Sequence, residues 1–156
     1  MSCSTSDILF NPFFCGLIMY SAIDEFNTRT SRGFPFSYSY FILPIVLPSA
    51  SRNSISRNRS LEAMMNNNPK IAVNFPVMME SCIGYTKNAI SCLLKAGMID
   101  ISGMEIYAQK CNICVGDRKI IGSDVNRYID SARIVSRFLS VYTRPEDLYY
   151  LMGVRP

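Results

Sequence analysis

Residues 85–107 decide the fold, and their sequence is YTKNAISCLLKAGMIDISGMEIY. Apolar residues in the first part of this stretch recur with the spacing of one helix face. They are Ala89, Ile90, Leu93, Leu94 and Gly97. Gly97 stands where a helix would end in the left-handed conformation, because glycine has no Cβ to oppose that conformation. The stretch therefore predicts a helix that ends at Gly97.

A β-hairpin is predicted directly after this helix. Ile99 and Ile101 alternate with polar neighbours, Ser102 and Gly103 form a two-residue turn, and residues 104–107 form a return strand. A helix, a glycine stop and a tight hairpin are typical of a winged helix-turn-helix, in which the helix is the recognition helix and the hairpin is the wing. The same order is common in ordinary α/β chains, so the pattern alone leaves both interpretations open.

The composition predicts one domain without a recognisable catalytic apparatus. The chain has 156 residues, 49% of them hydrophobic, which is enough to build a core. Its net charge of +4 allows contact with nucleic acid without requiring it. Histidine is absent, which excludes Ser-His-Asp and Cys-His catalysis as well as histidine-ligated metals. There is no P-loop and no GxGxxG motif. We therefore expect a protein that is not an enzyme and that holds no cofactor.

Cysteine usage predicts reduced thiols and a cytoplasmic location. No signal peptide pattern precedes the six cysteines, and most of them lie in apolar periodic segments. Cys111 and Cys114 form a lone CxxC, which supplies half of a tetrahedral zinc site, so we expect no bound metal. The longest apolar run, residues 38–47, is too short to span a bilayer.

We expect a mainly α fold with a small β-hairpin, in which a winged helix-turn-helix-like core is joined to flanking helices. Residues 1–156 form a single domain in this prediction. Its regions are an N-terminal helical elaboration (7–60), a winged-helix-like region (61–122) and C-terminal helices (123–156).

The N-terminal region is predicted to contain two helices and a loop. Asn11 and Pro12 are the cap and first residue of a helix that runs to about residue 27. A buried helix begins near residue 35 or 37 and is broken around residues 44–48, which begin and end with proline. Residues 49–60 are predicted to be a flexible basic loop.

The other two regions are predicted to be helical around the hairpin. Ser60 caps a short helix over residues 61–66, a second helix covers 71–83, and Gly84 separates it from the recognition-like helix. A second short hairpin is plausible over residues 113–121. Ser123 caps a long helix, and a capping box between Thr143 and Glu146 starts a final helix over residues 145–152.

Candidate nucleic-acid contacts are the arginines of the predicted loop and the lysines of the recognition-like helix. They are Arg52, Arg57, Arg59, Lys87 and Lys95. A solvated loop is the plainer interpretation of the three arginines. The predicted wing turn carries no basic residue and has Asp100 and Glu105 beside it, whereas a DNA reader concentrates positive charge there. We therefore expect, at most, weak DNA binding without sequence preference.

The C-terminal segment is a candidate partner interface. It ends in Val154, Arg155 and Pro156. Val154 is apolar and Pro156 is stiff, whereas the Arg155 guanidinium can bind a carboxylate through two hydrogen bonds. The alternative is that Leu151 and Val154 complete the protein's own core while Arg155 is solvated.

Several short segments, in this order and spacing, resemble the middle components of bacterial three-component ABC-ATPase systems. They are LFNP at residues 9–12, GFPF at 33–36 followed by FILPIVL at 41–47, GYTKNA at 84–89, LKAGMI at 94–99 and LMGVRP at 151–156. The resemblance covers roughly residues 9–156. The chain departs from it mainly at residues 49–59 and around the CxxC.

The resemblance implies a non-catalytic adaptor that couples an SMC/Rad-like ABC ATPase to a third, effector or sensor component. Such systems are thought to defend bacteria against phage or other foreign DNA. The implied partners are the ATPase and the third component. A homo-oligomer within the complex is possible, and no membrane contact is implied. A hypothesis of a different class is a winged-helix protein that binds DNA directly.

Overall fold

The computed structural model describes residues 11–110 and 123–155, and within them the protein is mainly α-helical with one small antiparallel sheet. The fold class predicted from the sequence is confirmed at this level. The helices, in chain order, are α1 Pro12–Thr30, α2 Ser39–Val46, α3 Ser49–Ile55, α4 Leu61–Asn67, α5 Pro69–Lys95, α6 Ser123–Leu139 and α7 Pro145–Leu151. The strands are β1 Phe34–Pro35, β2 Ile99–Ser102 and β3 Glu105–Ala108, and a 3-10 turn covers Phe36–Tyr38.

Helix α1 begins where the sequence predicts. The Asn11 side chain accepts a hydrogen bond of 2.8 Å from the Phe13 amide, and Pro12 is the first helical residue. The helix continues to Thr30, one turn beyond the predicted end, and stops at Ser31, which has φ 55°. Helix α1 is central, because it packs against α5, α6 and the sheet. Its contact with α6 includes a buried 2.6 Å hydrogen bond from the Ser136 hydroxyl to the Ala22 carbonyl.

An aromatic cluster anchors the sheet and the start of α2 to α1. Phe26, Phe34 and Tyr38 are almost fully buried. The Phe34 ring meets the Phe26 ring edge to face at 5.3 Å between centroids, and it meets the Tyr38 ring at 6.1 Å. Edge-to-face pairs add favourable quadrupole interaction to the burial of apolar area. The Tyr38 hydroxyl donates to the Tyr142 carbonyl at 3.1 Å, which ties the loop after α6 to this cluster.

Helix α5 is a single helix of 27 residues, so the predicted break at Gly84 is wrong. On the opposite side of the helix from Gly84, the buried face continues without interruption from Phe75 and Met79 to Thr86 and Ala89. Gly84 lies on the exposed face, where a Cβ would meet nothing within 4 Å. A glycine inside a helix costs about 1 kcal/mol relative to alanine, and burial of the continuous apolar face outweighs that cost.

The predicted hairpin is confirmed, with its turn one residue later than expected, at Gly103 and Met104. Helix α5 ends in a Schellman motif: the Met98 amide bonds the Leu93 carbonyl, the Gly97 amide bonds the Leu94 carbonyl, and Gly97 has φ 69°. This motif reverses the chain directly into β2.

The sheet has a third strand that the sequence does not predict. Strand β1 pairs antiparallel with β3, with Phe34 opposite Ile106, and the strand order is β1-β3-β2. The Asn27 side chain completes this edge of β3. Its Nδ2 donates to the carbonyls of Arg32 and Ile106 at 2.9 and 3.2 Å, and its Oδ1 accepts from the Ala108 amide at 2.7 Å.

Two further local predictions are wrong. Ser49–Ile55 forms helix α3 rather than a flexible loop, because Ser51, Ser54 and Ile55 are buried against the rest of the fold. The capping box is absent, because the N-cap of α7 is Arg144 and not Thr143. The backbone of Arg144 is extended, and its side chain has no acceptor atom that could cap the helix. Thr143 therefore lies one residue too early to cap the helix. The CxxC and the second predicted hairpin lie outside the described residues.

Candidate functional site

Arg52 is a structural residue rather than the exposed phosphate contact suggested by the sequence. Its Nη1 donates to the carbonyls of Val46 and Leu47, at 3.0 and 2.8 Å, at the C-terminal end of α2. Its guanidinium carbon lies 4.1 Å from the centroid of the Tyr128 ring on α6. One side chain thus joins α2, α3 and α6. Helix ends leave carbonyls unpaired, and a cation is favourable there.

The remaining predicted basic contacts are exposed. Arg57 follows the end of α3, Arg59 lies in the turn before α4, and Lys87 and Lys95 are on the solvent side of α5. Arg57 also borders two open polar clefts. Their other polar lining residues include Asn53, Arg127 and Asn67, none of which the sequence singled out. No local sequence pattern identifies these residues, because they come together only when α4 and α6 lie on the two sides of α3.

The C-terminal segment folds back in a fixed direction. The Val154 amide bonds the Tyr149 carbonyl at 3.0 Å, the Gly153 amide bonds the Tyr150 carbonyl at 3.2 Å, and Gly153 has φ 67°. This is a second Schellman motif. Val154 is half-buried against the hydrophobic core, whereas Arg155 is exposed. The structure therefore gives the segment both a core-contacting residue and a solvated arginine. Pro156 lies outside the described residues.

Arg155 borders an open groove, called the C-terminal groove here. It is lined by Glu146, Asp147, Tyr149, Tyr150, Val154 and Arg155. Tyr150 is 90% exposed, while its neighbour Tyr149 is half-buried and donates to the Ser37 carbonyl at 3.3 Å. Sequence reasoning missed Tyr150. The available signal was helical phase, because adjacent residues on a helix point in different directions and only one of two tyrosines can face the core.

The buried thiols are unsuited to nucleophilic chemistry at neutral pH. Burial raises the pKa of Cys15 to about 11, with a smaller contribution from neighbouring Cys82, and burial likewise raises the pKa of Cys82 to about 11. A thiol is a weak nucleophile compared with its thiolate. Among residues 11–110 and 123–155, no group of three or more cysteine or carboxylate side chains is placed to hold a metal ion. Within the same residues, no helix has the length and apolar character needed to cross a membrane.

The two clefts beside Arg57 and the C-terminal groove are open to solvent. A family model for Middle Component 3 of ABC-three component (ABC-3C) systems matches residues 4–156. The chain belongs to this family. The resemblance inferred from the sequence segments is therefore confirmed. Comparisons with curated proteins and with solved structures give no match.

Membership in the Middle Component 3 family has a direct consequence for the interaction surfaces. A middle component is one part of a system with several components, so the other components are its partners. Tyr150 and Arg155 are exposed and so are accessible to such a partner.

Proposed function

We propose that this protein is a non-catalytic adaptor that couples an SMC-like ABC ATPase to a third component that acts as effector or sensor. The observation that carries the proposal is the family match, which spans almost the whole chain. In this proposal, the assembled system defends a bacterial cell against phage or other foreign DNA. The ATPase supplies the energy, the third component carries the output, and the protein described here transmits the signal between them in the cytoplasm.

Two observations support a role without catalysis. The sequence has no histidine, so the commonest general base is missing. The described thiols with shifted pKa values are buried and protonated. Among the described residues, Tyr150 and Arg155 are exposed, and tyrosine and arginine are residue types enriched at protein interfaces.

The C-terminal groove is the surface we propose for a partner. An exposed tyrosine loses little conformational entropy when it is buried, because it has few rotatable bonds, and an arginine recognises a carboxylate through two parallel hydrogen bonds. Tyr150 and Arg155 border the same groove, and the Schellman motif at Gly153 holds their backbones in a fixed relation. The groove is thus organised before a partner binds, which lowers the entropic cost of association.

Arg155→Ala is expected to weaken binding to the ATPase or to the third component by about tenfold or more, which corresponds to ~1.4 kcal/mol. The physical reason is the loss of one side of a charge pair that is desolvated in the complex. The measurement is co-purification with the neighbouring gene products, followed by titration against each component. Arg59→Ala, which removes another exposed arginine, is the matched control. Unchanged affinity would remove Arg155 from the interface, and a large fall in melting temperature would assign it to the fold instead.

The second candidate function is direct DNA binding by a winged helix. The hairpin that follows α5 and the pairing of β1 with β3 support a winged-helix arrangement. Helices α2 and α5, however, are separated by α3 and α4 rather than by the turn of three or four residues that joins a helix-turn-helix. The winged-helix interpretation therefore stays a prediction.

Weak DNA binding without sequence preference is the expected result for the isolated protein. Arg52 is engaged within the fold, so Arg57 and Arg59 are the arginines that remain for phosphate contact. The affinity should fall steeply with salt, because each neutralised phosphate releases counterions, and Arg57→Glu with Arg59→Glu should abolish it. Fluorescence anisotropy with two unrelated duplexes measures this. Submicromolar binding to only one duplex at physiological salt would favour the DNA-reader hypothesis.

A further inference from the structure

We propose that the two open clefts beside Arg57 together bind one small organic phosphate of the nucleotide class. The first, called the basic cleft here, lies between α3 and α6. Its charged and hydroxyl lining residues are Arg52, Ser56, Arg57, Arg127, Asp130 and Ser131. The second, called the amide cleft here, lies between α3 and α4, and its amide lining residues are Asn53, Asn58, Asn67 and Asn68. A small-molecule ligand goes beyond the adaptor function and does not depend on it.

The basic cleft carries more positive charge than its own carboxylate balances. Three arginines line it, Arg52, Arg57 and Arg127, and Asp130 is the carboxylate beside them. The Oδ1 of Asp130 lies 3.9 Å from Nη1 of Arg133, so part of its charge is balanced by another arginine. Neither Arg57 nor Arg127 is among the arginines that pair with a carboxylate in the described part of the chain. A cleft lined mainly by one sign of charge concentrates ligands of the opposite charge, so this one favours an anion.

Arg52 supplies a positive charge that is fixed in place before a ligand arrives. Its Nη1 is held by the carbonyls of Val46 and Leu47, and its guanidinium lies over the Tyr128 ring. These partners are neutral, and the Nε of Arg52 is buried without a hydrogen-bond partner among the described atoms. The fold therefore holds the guanidinium beside the cleft without a carboxylate to balance it. A charge placed in this way attracts an anion without the entropic cost of ordering a long side chain.

Arg57 and Arg127 are the side chains that we assign to direct contact with the phosphate. Both are exposed, and they enter the basic cleft from different elements, because Arg57 follows α3 and Arg127 lies on α6. A guanidinium binds phosphate oxygens through two parallel hydrogen bonds. The hydroxyls of Ser56 and Ser131 also line the cleft and can donate to a further oxygen. A phosphate has enough oxygens to be bound from both sides of the cleft, whereas the two oxygens of a carboxylate are used by one arginine.

The amide cleft adjoins the basic cleft, because Asn53 and Arg57 line both. The Nδ2 of Asn67 donates to the Oδ1 of Asn58 at 2.8 Å, which ties the end of α4 to the segment after α3. The side-chain oxygens of Asn67 and Asn68 stay available as acceptors, and the exposed Asn53 offers a donor and an acceptor. The amide cleft therefore suits a neutral group that both donates and accepts hydrogen bonds.

A nucleotide combines the two kinds of group that the clefts accept. Side-chain amides bind the hydrogen-bonding edges of nucleobases, and a guanidinium plane such as that of Arg57 can stack on a base. A phosphate in the basic cleft would place the nucleoside toward the amide cleft, across Arg57. Arg59, the next arginine in the sequence, lines neither cleft. The site is therefore compact, whereas binding along a nucleic-acid strand requires a groove of cations that follows the backbone.

Calorimetric titration of the full chain tests the ligand class. The ligands are inorganic phosphate, the four ribonucleoside monophosphates and the four nucleosides, at about 0.1 M salt. Phosphate should bind saturably. At least one monophosphate should bind about tenfold or more tightly than phosphate, because the amide cleft adds contacts to the nucleoside. The corresponding nucleoside should bind at least about tenfold more weakly than its monophosphate, because it lacks the charged group.

Substitution of the arginines tests the site. Arg57→Gln and Arg127→Gln should each weaken binding of phosphate and of the preferred monophosphate by about tenfold or more, because each removes charge-assisted hydrogen bonds. Arg59→Gln is the matched control, because it removes an exposed arginine two residues from Arg57 that lines neither cleft. Its affinity should stay within about twofold of the wild type. This control also separates the nucleotide site from DNA contact, in which Arg57 and Arg59 both take part.

Four results would overturn the proposal. One is the absence of saturable binding of phosphate and of every monophosphate up to about 10 mM. Another is an equal loss for Arg59→Gln and Arg127→Gln, which would indicate attraction by net charge alone. A third is binding of every monophosphate no tighter than that of phosphate, which would remove the amide cleft from the site. The fourth is binding of duplex DNA that no monophosphate displaces. Melting temperatures identify a variant that fails to fold, and the other arginine variant then decides.

Discussion

Phe34→Ala is expected to lower the free energy of unfolding by about 3–5 kcal/mol, the usual cost of removing a fully buried aromatic ring. Phe34 is 0% exposed, and its ring contacts the rings of both Phe26 and Tyr38 edge to face. It also lies in β1, the strand that holds β3 against α1. The substitution therefore removes core volume and the anchor of the sheet together.

Chemical denaturation with a thermal melt measures this effect. Phe13→Ala is the matched control, because Phe13 lies on α1 and is 59% exposed. A change within about 0.5 kcal/mol is expected for the control, as for most surface positions. Equal losses for the two variants would contradict the placement of Phe34 in the core.

Arg52→Ala is expected to destabilise the protein by about 2–4 kcal/mol, an unusually large effect for removal of an arginine. The guanidinium forms two hydrogen bonds to the carbonyls of Val46 and Leu47 and stacks on Tyr128. Hydrogen bonds that involve a charged group contribute about 1.5–3 kcal/mol each, and a cation over a desolvated aromatic ring contributes about 2 kcal/mol. These contributions are not additive, so we expect less than their sum.

The control for this prediction is Arg57→Ala, five residues further along the chain at an exposed position. Denaturation should leave the Arg57 variant within about 0.5 kcal/mol of the wild type. Arg52→Lys should recover little of the lost stability, because an ammonium group cannot bond both carbonyls and stack on the ring in the same way. A neutral effect of Arg52→Ala would return Arg52 to the set of free basic residues.

The parts of the fold that the sequence predicts are those with local signals. Asn11 and Pro12 mark the start of α1, and Gly97 marks the end of α5. Ser60 caps α4, because its side-chain oxygen accepts a 3.1 Å hydrogen bond from the Ala63 amide. Each of these residues acts through atoms only a few positions away. Helix caps and hairpin turns are for that reason visible in a single sequence.

The parts that the sequence does not predict depend on distant contacts. Strand β1 has two residues, one of them a proline, and it is a strand only because Ile106 lies beside Phe34. Asn27 looks like an ordinary polar residue near a helix end, although its side chain bonds β3. Gly84 predicts a break because glycine is a poor helix former, but the packing of the opposite face keeps the helix continuous.

The candidate interaction surfaces show the same division. The sequence context predicts that Arg155 is accessible, and it is exposed, whereas the exposure of Tyr150 depends on the direction that its side chain takes on α7. Arg52, Arg57 and Arg59 form one basic segment in the sequence, because they are only a few residues apart. The fold separates them, because α3 turns Arg52 toward Tyr128 and leaves the other two in solvent. Composition identifies a basic segment but does not determine which of its side chains are free.

The continuity of α5 past Gly84 gives the molecule a mechanical property. After Pro76 the helix runs without interruption over residues 77–95, or about 28 Å, and the Schellman motif at Gly97 fixes the hairpin to its end. A stiff rod of that length is a lever, and a tilt of about 5° at one end displaces the other by about 2.5 Å. Any tilt of α5 as a whole would therefore move the hairpin with it. A helix broken at Gly84 would absorb the same tilt as a local bend.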